Sequence, residues 1–312
     1  MRLKIKHIQV NVVSMIQPEQ ATNEPVLVNE SVAEQKAQAL LQSLAGLKSL
    51  IVAYSGGVDS SLLAYYARAA LGDKALIVIA RSASLANDEL EFARKQGAEF
   101  GWNVLEIDTD ETEKAEYLRN DERRCYFCKS TLFEAMQRIA SENNFSNLAY
   151  GANVNDLSDY RPGHQAARER NVLSPLQDAG LVKEEIRYLA KKAGLPSWDR
   201  PQAACLSSRF PTYQPITIQK LSQVDKAESY LHRLGLKQLR VRHHDNLARI
   251  ELSKEDMDLV LAGTISVPQI VSVFKEYGFK YVTLDMEGYR QGSSNPDDLN
   301  TTHKDKSQEG PT

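Results

Sequence analysis

The sequence predicts an α/β protein, a doubly wound and mostly parallel sheet followed by a smaller C-terminal α+β unit. Three observations lead there. Short apolar runs alternate with helix-patterned segments up to about residue 193, which argues for a parallel sheet covered on both faces. The first run ends in two adjacent glycines that open a helix. Beyond a stretch broken by Pro196, Pro201 and Pro211, the pattern changes to a hairpin with short helices.

Residues 1–30 read as a poorly structured extension. Met1 to Val13 mixes Arg2, Lys4, Lys6 and His7 into its apolar residues, so it lacks the unbroken apolar core and cleavage site of a signal peptide. Met15 offers an alternative start. The main α/β domain is expected over residues 31–200. Helices are predicted over 31–47, 59–71, 87–100, 129–142 and 182–193, and strands over 50–54, 75–80, 104–107 and 147–150. Residues 201–215 form a non-periodic linker carrying Cys205. The second unit, 216–290, contains a helix over 217–234 and a hairpin, 239–242 with 247–252, turned at His244-Asp245-Asn246. Helices over 254–262 and 267–277 and a strand over 281–285 complete it. Residues 291–312 are polar and read as a disordered tail.

The motif with most chemical content is Ser55-Gly56-Gly57-Val58-Asp59-Ser60, placed directly after the first strand. Paired glycines let the backbone turn sharply and approach phosphate, and the helix that follows offers unpaired N–H groups and a positive dipole end. Ser55, Ser60 and Ser61 add hydroxyls. The plainer alternative is a serine-capped turn. A Walker loop is excluded, because no Gly-Lys-Ser/Thr follows. In open parallel sheets ligands bind at the carboxyl ends of strands, where Ser55, Arg81 and Gly151 fall.

Cys125 and Cys128 form a C-x-x-C, and Cys205 lies far along the chain. Zinc, iron–sulfur and dithiol redox sites all use such a pair, and unrelated buried thiols remain a reading too. No second C-x-x-C completes a four-cysteine zinc site, and neither His164 nor His243 has ligand-like spacing. Three cysteines would leave one iron of a [4Fe–4S] cluster without a protein ligand.

Ser55 to Ser60 resembles the pyrophosphate loop of the N-type ATP pyrophosphatases, which cleave ATP between its α and β phosphates and adenylate a substrate. GMP synthetases, NAD synthetases and tRNA-thiolating enzymes belong to it. Four further stretches are similar to one branch, the LarE family of ATP-dependent sulfur transferases in nickel-pincer cofactor synthesis. They are Arg123 to Lys129, Gly151 to Gly163, Pro201 to Pro211 and Glu287 to Ser293. The resemblance runs from about Ser31 to Asn295.

That resemblance implies ATP held by Ala53, Ser55, Gly56, Gly57, Val58, Asp59, Ser60, Ser61, Arg81 and Gly151. It implies Mg²⁺ near Asp59 and Asp156; the family's usual Asn-x-Asp-Asp wording is altered at Asn155-Asp156, which makes Asp156 the better metal-side residue. One family type has only the cysteine matching Cys205 and surrenders its sulfur. The other adds the C-x-x-C and holds a [4Fe–4S] cluster, and Cys125, Cys128 and Cys205 match this second type. Lys129, Arg209, Arg240 and Arg242 become contacts to a phosphate-bearing mononucleotide. Each also has a structural reading. Lys129 would be an ordinary helix lysine, Arg209 the partner of a neighbouring acid, Arg240 and Arg242 a solvated strand face, and Asp59 a helix cap.

Composition narrows the alternatives. With 42% hydrophobic and 25% charged residues the chain can build an ordinary packed core. The net charge of −3 argues against nucleic acid and so against a tRNA-thiolating rival. A second rival, a non-catalytic adenine-nucleotide sensor, would have no use for three cysteines. No apolar run reaches the roughly 18 residues of a membrane span. Few cysteines and no export signal point to a reducing cytoplasm. Expected partners are the small-molecule substrate, a sulfide source or pathway protein, and further copies of the chain in a homo-oligomer.

Overall fold

The computed structural model describes residues 28–158, 162–202 and 204–290. Most of the expected N-terminal extension and all of the expected tail over 291–312 lie outside the described residues. The chain opens with α1 (Glu30–Ala45), whose first turn is capped by the Asn29 side chain accepting from the Val32 amide. It continues through β1 (Leu50–Ala53), α2 (Val58–Leu71), β2 (Ala75–Arg81), α3 (Asn87–Glu99), β3 (Val104–Asp108) and the four-residue α4 (Ala115–Leu118). Next come α5 (Arg124–Asn143), β4 (Leu148–Tyr150), α6 (Pro162–Glu169), α7 (Pro175–Asp178) and α8 (Lys183–Lys192).

The first four strands make one parallel sheet in the order β3-β2-β1-β4. Side chains alternate across a strand, and β1 shows it clearly. Leu50 and Val52 pack with Leu40 and Leu44 of α1, Leu62 and Leu63 of α2, and Ile186 and Leu189 of α8. Ile51 and Ala53 pack on the other face with Phe133 and Met136 of α5 and Ala166 and Ala167 of α6. Each fully buried leucine contributes about 1.5–3 kcal/mol. The sheet is doubly wound, as the strand–helix alternation predicts.

The second unit holds α9 (Ile218–Arg233), β5 (Leu239–His244), β6 (Leu247–Leu252), α10 (Lys254–Leu261), α11 (Val267–Glu276) and β7 (Tyr281–Leu284). β5 and β6 are antiparallel, and β7 lies parallel to β6. Phe274, Phe279, Leu231 and Leu239 fill its core. The linker is anchored between the units. Leu206, Phe210 and Ile216 pack with Leu221 and Val224 of α9, and Ala83 and Ala86 of the first unit close over them. Among the described residues no helix is long and apolar enough to cross a membrane.

Two differences from the sequence reading matter. Helix α5 begins at Arg124, five residues before the expected 129, so the C-x-x-C lies on the helix rather than ahead of it. Short α4, α6 and α7 were not foreseen. α6 contains only alanines as apolar residues beyond Pro162 and Gly163, too weak a pattern to register.

The linker's docking leaves a titratable mark. His243 is fully buried, stacked on Phe210 at 4.9 Å, and its Nε2 donates to Gln223 Oε1 at 3.1 Å. Burial first, then the charge of Lys220, push its pKa down to about 4. Between an unfolded value of about 6.5 and about 4, the unfolded chain takes up a proton that the native one refuses. The stability from neutral His243 is therefore present above about pH 6.5 and is lost as pH falls toward the folded value. In urea titrations at pH 7 and pH 4.5, the wild type should lose more stability on acidification than His243→Phe. Equal losses would remove His243 as the cause.

Candidate active site

All four strands of the parallel sheet end on the same edge, and the loops beyond them carry the polar residues. After β1, Tyr54 leads into the glycine turn. Gly56 has φ +78°, a conformation that disfavours a side chain, and a Cβ there would meet Ala93 at 3.2 Å. The Ser60 hydroxyl accepts from the Ser55 amide at 3.2 Å and stands 3.0 Å from the Gly57 carbonyl. Ser61 donates to the same carbonyl at 2.8 Å. Gln96, buried on α3, donates to Ser61 Oγ at 2.7 Å and to Tyr54 Oη at 2.9 Å, while its own carbonyl accepts from the Ser197 amide at 3.2 Å. Hydroxyls of α2 and the Gln96 amide of α3 thus fix the turn, and the first amides of α2, as in any helix, have no partner within the helix.

The exit of β4 closes the other side. A Cβ on Gly151 would lie 2.7 Å from the Ser60 amide nitrogen, so glycine is what allows this loop to reach the start of α2. From there Asn153 donates to Asp59 Oδ1 at 3.0 Å, and its own amide donates to Asp156 Oδ2 at 3.0 Å. The second oxygen of Asp59 pairs with Lys183, at the first position of α8. The two sequence-predicted Mg²⁺ residues are joined through Asn153, beside a lysine that the sequence reading missed. Arg81 is half-exposed and bonded to Asp108 at 2.7 Å. It stands at the predicted strand end with its guanidinium already matched to a carboxylate.

The thiols lie on segments beyond the same sheet edge. Cys125 and Cys128 sit three residues apart in the first turn of α5, hence on one helix face. Cys205 precedes the helical turn Leu206–Arg209. That turn is docked from several directions. The Leu206 amide donates to Ser84 O at 2.8 Å, and Arg124 donates to Ser207 O at 2.9 Å. The Tyr117 and Ser207 hydroxyls share a hydrogen bond of 2.5 Å. Arg209 donates to Ala204 O at 2.8 Å and to Cys205 O at 3.1 Å.

Electrostatics tie the thiols into one neighbourhood. Burial, then the charges of Glu111, Cys205 and Cys125, drive the Cys128 pKa up against the pull of Lys129. Burial opposes the charge on Arg124, but the sulfurs of Cys205 and Cys125 outweigh it and hold the guanidinium protonated. Burial, then Cys205 and Cys128, raise the Tyr117 phenol. Cys125 and Cys205 are exposed. In kind, this donor set fits a thiophilic metal or cluster. Among the described residues, no three Cys, His, Asp or Glu side chains are gathered into a coordination sphere.

The expected substrate cations divide sharply. Arg209 is buried and grips Glu228 with Nε and Nη2 at 2.9 and 3.0 Å. Arg242 does the same with Glu251 at 3.0 and 2.9 Å, and donates to Ser208 O at 2.9 Å. Of the two readings of Arg209, a substrate contact or the partner of a neighbouring acid, the structure shows the second arrangement, with its fork on Glu228. Arg240 has no carboxylate partner among the described residues. It donates to Leu239 O at 2.8 Å and stacks over Tyr289 at 5.3 Å, and burial, with Arg209 nearby, lowers its pKa. Lys129 lies 4.8 Å from the centre of the Tyr150 ring, with its stem against α6 at Gly163.

Sequence reasoning missed Lys183, Gln96, Arg124, Tyr117 and Glu111. Only Arg124 carried a signal, its place beside the C-x-x-C. The others act through contacts between distant segments.

A family model described as NAD synthase matches residues 32–147. An uncharacterised protein of Synechocystis sp. is 44% identical over 262 residues, covering 84% of this chain and 97% of its own. The pyridinium-3,5-bisthiocarboxylic acid mononucleotide synthase of Lactiplantibacillus plantarum is 34% identical over 261 residues, covering 83% of this chain and 94% of its own. A glutamine-hydrolysing GMP synthase chain of Thermococcus kodakarensis is 30% identical over 179 residues, 54% of this chain and 57% of its own. Fold and loop together define a pyrophosphate-loop α/β protein of the ATP pyrophosphatase class. Within that class, the chain belongs to the family of the pyridinium-3,5-bisthiocarboxylic acid mononucleotide synthase.

The raised pKa of Cys128 sets an order of reactivity, because the thiolate is the nucleophile. Iodoacetamide at pH 8 should alkylate exposed Cys125 and Cys205 well before Cys128. Peptide mass mapping over time checks this, and equal rates at all three would contradict the electrostatic picture.

Proposed function

We propose that this chain is an ATP-dependent sulfur transferase that converts pyridinium-3,5-biscarboxylic acid mononucleotide to its thiocarboxylic acid. The observation that carries the reading is that two features share one sheet edge: a glycine turn that opens α2 after β1, and three thiols, Cys125 and Cys128 at the start of α5 and Cys205 before the Leu206–Arg209 turn. The synthase activity of the Lactiplantibacillus plantarum relative supports it.

A carboxylate resists substitution because its leaving group would be oxide. Attack of a carboxylate oxygen on the α-phosphorus of ATP forms an acyl adenylate and breaks the bond to the β-phosphate, releasing pyrophosphate. The amides at the start of α2 and the hydroxyls of Ser55 and Ser60 receive the phosphate charge. Asp59 and Asp156 would hold Mg²⁺, which would supply charge stabilisation to the phosphates, and Lys183, paired with Asp59 in this structure, stands beside them as the cation for the phosphate charge. Hydrosulfide then attacks the acyl carbon, AMP leaves, and one proton is released. Repetition on the second carboxylate gives the dithio product. Arg240, which has no carboxylate partner among the described residues, would receive the phosphate of the mononucleotide.

Cys125, Cys128 and Cys205 would hold a [4Fe–4S] cluster, which supplies sulfide on the iron that has no protein ligand. The buried, orphaned carboxylate oxygen of Glu111 near these thiols is compatible with a metal there. Sacrifice of the Cys205 sulfur is the second reading, favoured by the exposure of that thiol.

Two measurements test the proposal. Loss of a charge-assisted phosphate contact costs about 1.5–3 kcal/mol, so Lys183→Met should slow substrate-dependent pyrophosphate release by roughly 10- to 100-fold. Lys220→Met, which breaks the surface pair with Asp245, should be silent; equal rates in both variants would place Lys183 outside the reaction. Mass spectrometry after turnover separates the sulfur sources. We expect an intact Cys205, whereas dehydroalanine at that position would establish the sacrificial route.

A further inference from the structure

Gln96 is 1% exposed, and both ends of its carboxamide are engaged. Its Nε2 donates to Ser61 Oγ at 2.7 Å and to Tyr54 Oη at 2.9 Å, and its Oε1 accepts from the Ser197 amide at 3.2 Å. A backbone amide can only donate, so the end that faces Ser197 is the oxygen and the two N–H groups face the hydroxyls. Ser61 in turn donates to the Gly57 carbonyl at 2.8 Å. The donations therefore run in one direction, from Ser197 through Gln96 and Ser61 to the second glycine of the turn. Hydrogen bonds in such a chain polarise one another. Ser61 and Ser197 have no exposed surface, so water does not compete for the link.

The rest of the α3 face serves the same two neighbours. Glu89, Phe92, Ala93 and Gln96 stand three and four residues apart, hence on one side of the helix. A Cβ on Gly56 would meet Ala93 at 3.2 Å and Phe92 at 3.5 Å, so the glycine turn packs directly on that side. Arg200 lies over the Phe92 ring at 3.6 Å and pairs with Glu89 at 2.6 Å. Arg187 of α8 donates to the carbonyls of Trp198 and Arg200 at 2.6 and 2.9 Å. The glycine turn and the segment from Ser197 to Arg200 thus share one seat, and Gln96 bonds to both.

We propose that Gln96 is a positioning residue that couples the glycine turn to the segment leading to Cys205. Phosphates seated on the turn order Gly57 and Ser61, and the Gln96 amide passes that order to the Ser197 backbone. Two sites joined in this way share a coupling free energy. The segment is then set in place before sulfur transfer follows adenylation. The inference rests on the reading of the glycine turn as the ATP site.

The test is hydrogen–deuterium exchange of the full-length protein, resolved at the Ser197 amide, with and without saturating Mg²⁺ and α,β-methylene-ATP. Calorimetry measures the nucleotide affinity alongside. In the wild type the nucleotide should slow exchange at Ser197 by roughly 2- to 10-fold, the worth of one hydrogen bond. Gln96→Met keeps the length of the side chain without its hydrogen bonds, and it should exchange faster at rest and show no nucleotide response. Ser61→Ala is a milder change that cuts the link on its far side. It should leave resting exchange near the wild-type rate and also abolish the response. The double variant should respond no differently from either single one, as residues acting in one chain do. A purely structural Gln96 would raise resting exchange but leave the nucleotide response intact in both variants, and that result overturns the proposal. So does a wild type that binds the nucleotide with Ser197 exchange unchanged. A wild type with no affinity for the nucleotide would sink the ATP site and this coupling together. Failure to thiolate the carboxylate substrate would count against the sulfur-transferase reading and leave the exchange result standing.

Discussion

The contact on which the site depends is the approach of Gly151 to the first turn of α2. β1 lies between β2 and β4, so the chain leaves the sheet in opposite directions on either side of it, and a crevice opens at that switch. The crevice is useful only if the loop after β4 reaches the helix that follows β1. A Cβ at position 151 would stand 2.7 Å from the Ser60 nitrogen and 2.9 Å from its Cα. Both atoms are backbone and cannot swing aside. With glycine there, Asn153 reaches Asp59 and Asp156 at once. Gln96 holds the same helix turn from the opposite side through Ser61, and its carbonyl reaches the Ser197 amide on the segment that leads to Cys205. One buried amide thus links the phosphate turn to the approach of the sulfur loop.

The Cys205 turn is held almost wholly by neighbours distant in sequence. Ser84 follows β2, Tyr117 belongs to α4, Arg124 opens α5, and Arg209 closes the turn from within. Such docking keeps an exposed thiol at a fixed address while leaving its sulfur accessible, and an attacking or ligating group needs both. It also explains why α5 begins before the C-x-x-C. Starting the helix at Arg124 puts that guanidinium under Ser207 and sets Cys125 and Cys128 on one face of its first turn.

Periodicity made the sheet legible, because strands buried on both faces read as continuous apolar runs and amphipathic helices lie between them. The glycine turn was legible because its chemistry is local. Gln96 was not: a glutamine on a helix otherwise marked by Glu91, Arg94 and Lys95 looks like surface, and only the fold turns it inward. Lys183 was hidden for a related reason, since its partner Asp59 is far away in sequence. The alternation of Arg240 and Arg242 correctly put both on one strand face. It gave no sign that Glu251, on the neighbouring strand, occupies one and leaves the other.

That division of labour among the arginines follows from the energetics of buried charge. Removing one partner of a buried pair strands the other and costs about 3–5 kcal/mol. Arg209 with Glu228, and Arg242 with Glu251, are therefore fixed parts of the wall. Glu228 also accepts from the Val241 amide at 2.8 Å, which ties α9 to β5. Arg240 lies on the same strand face, has no such partner among the described residues, and has its pKa lowered by burial and by Arg209. Under the proposed function, a dianionic phosphate would supply an opposite charge and accept a guanidinium fork in two hydrogen bonds. Two of the three arginines are thus fixed by carboxylates, and Arg240 alone of the three has none among the described residues.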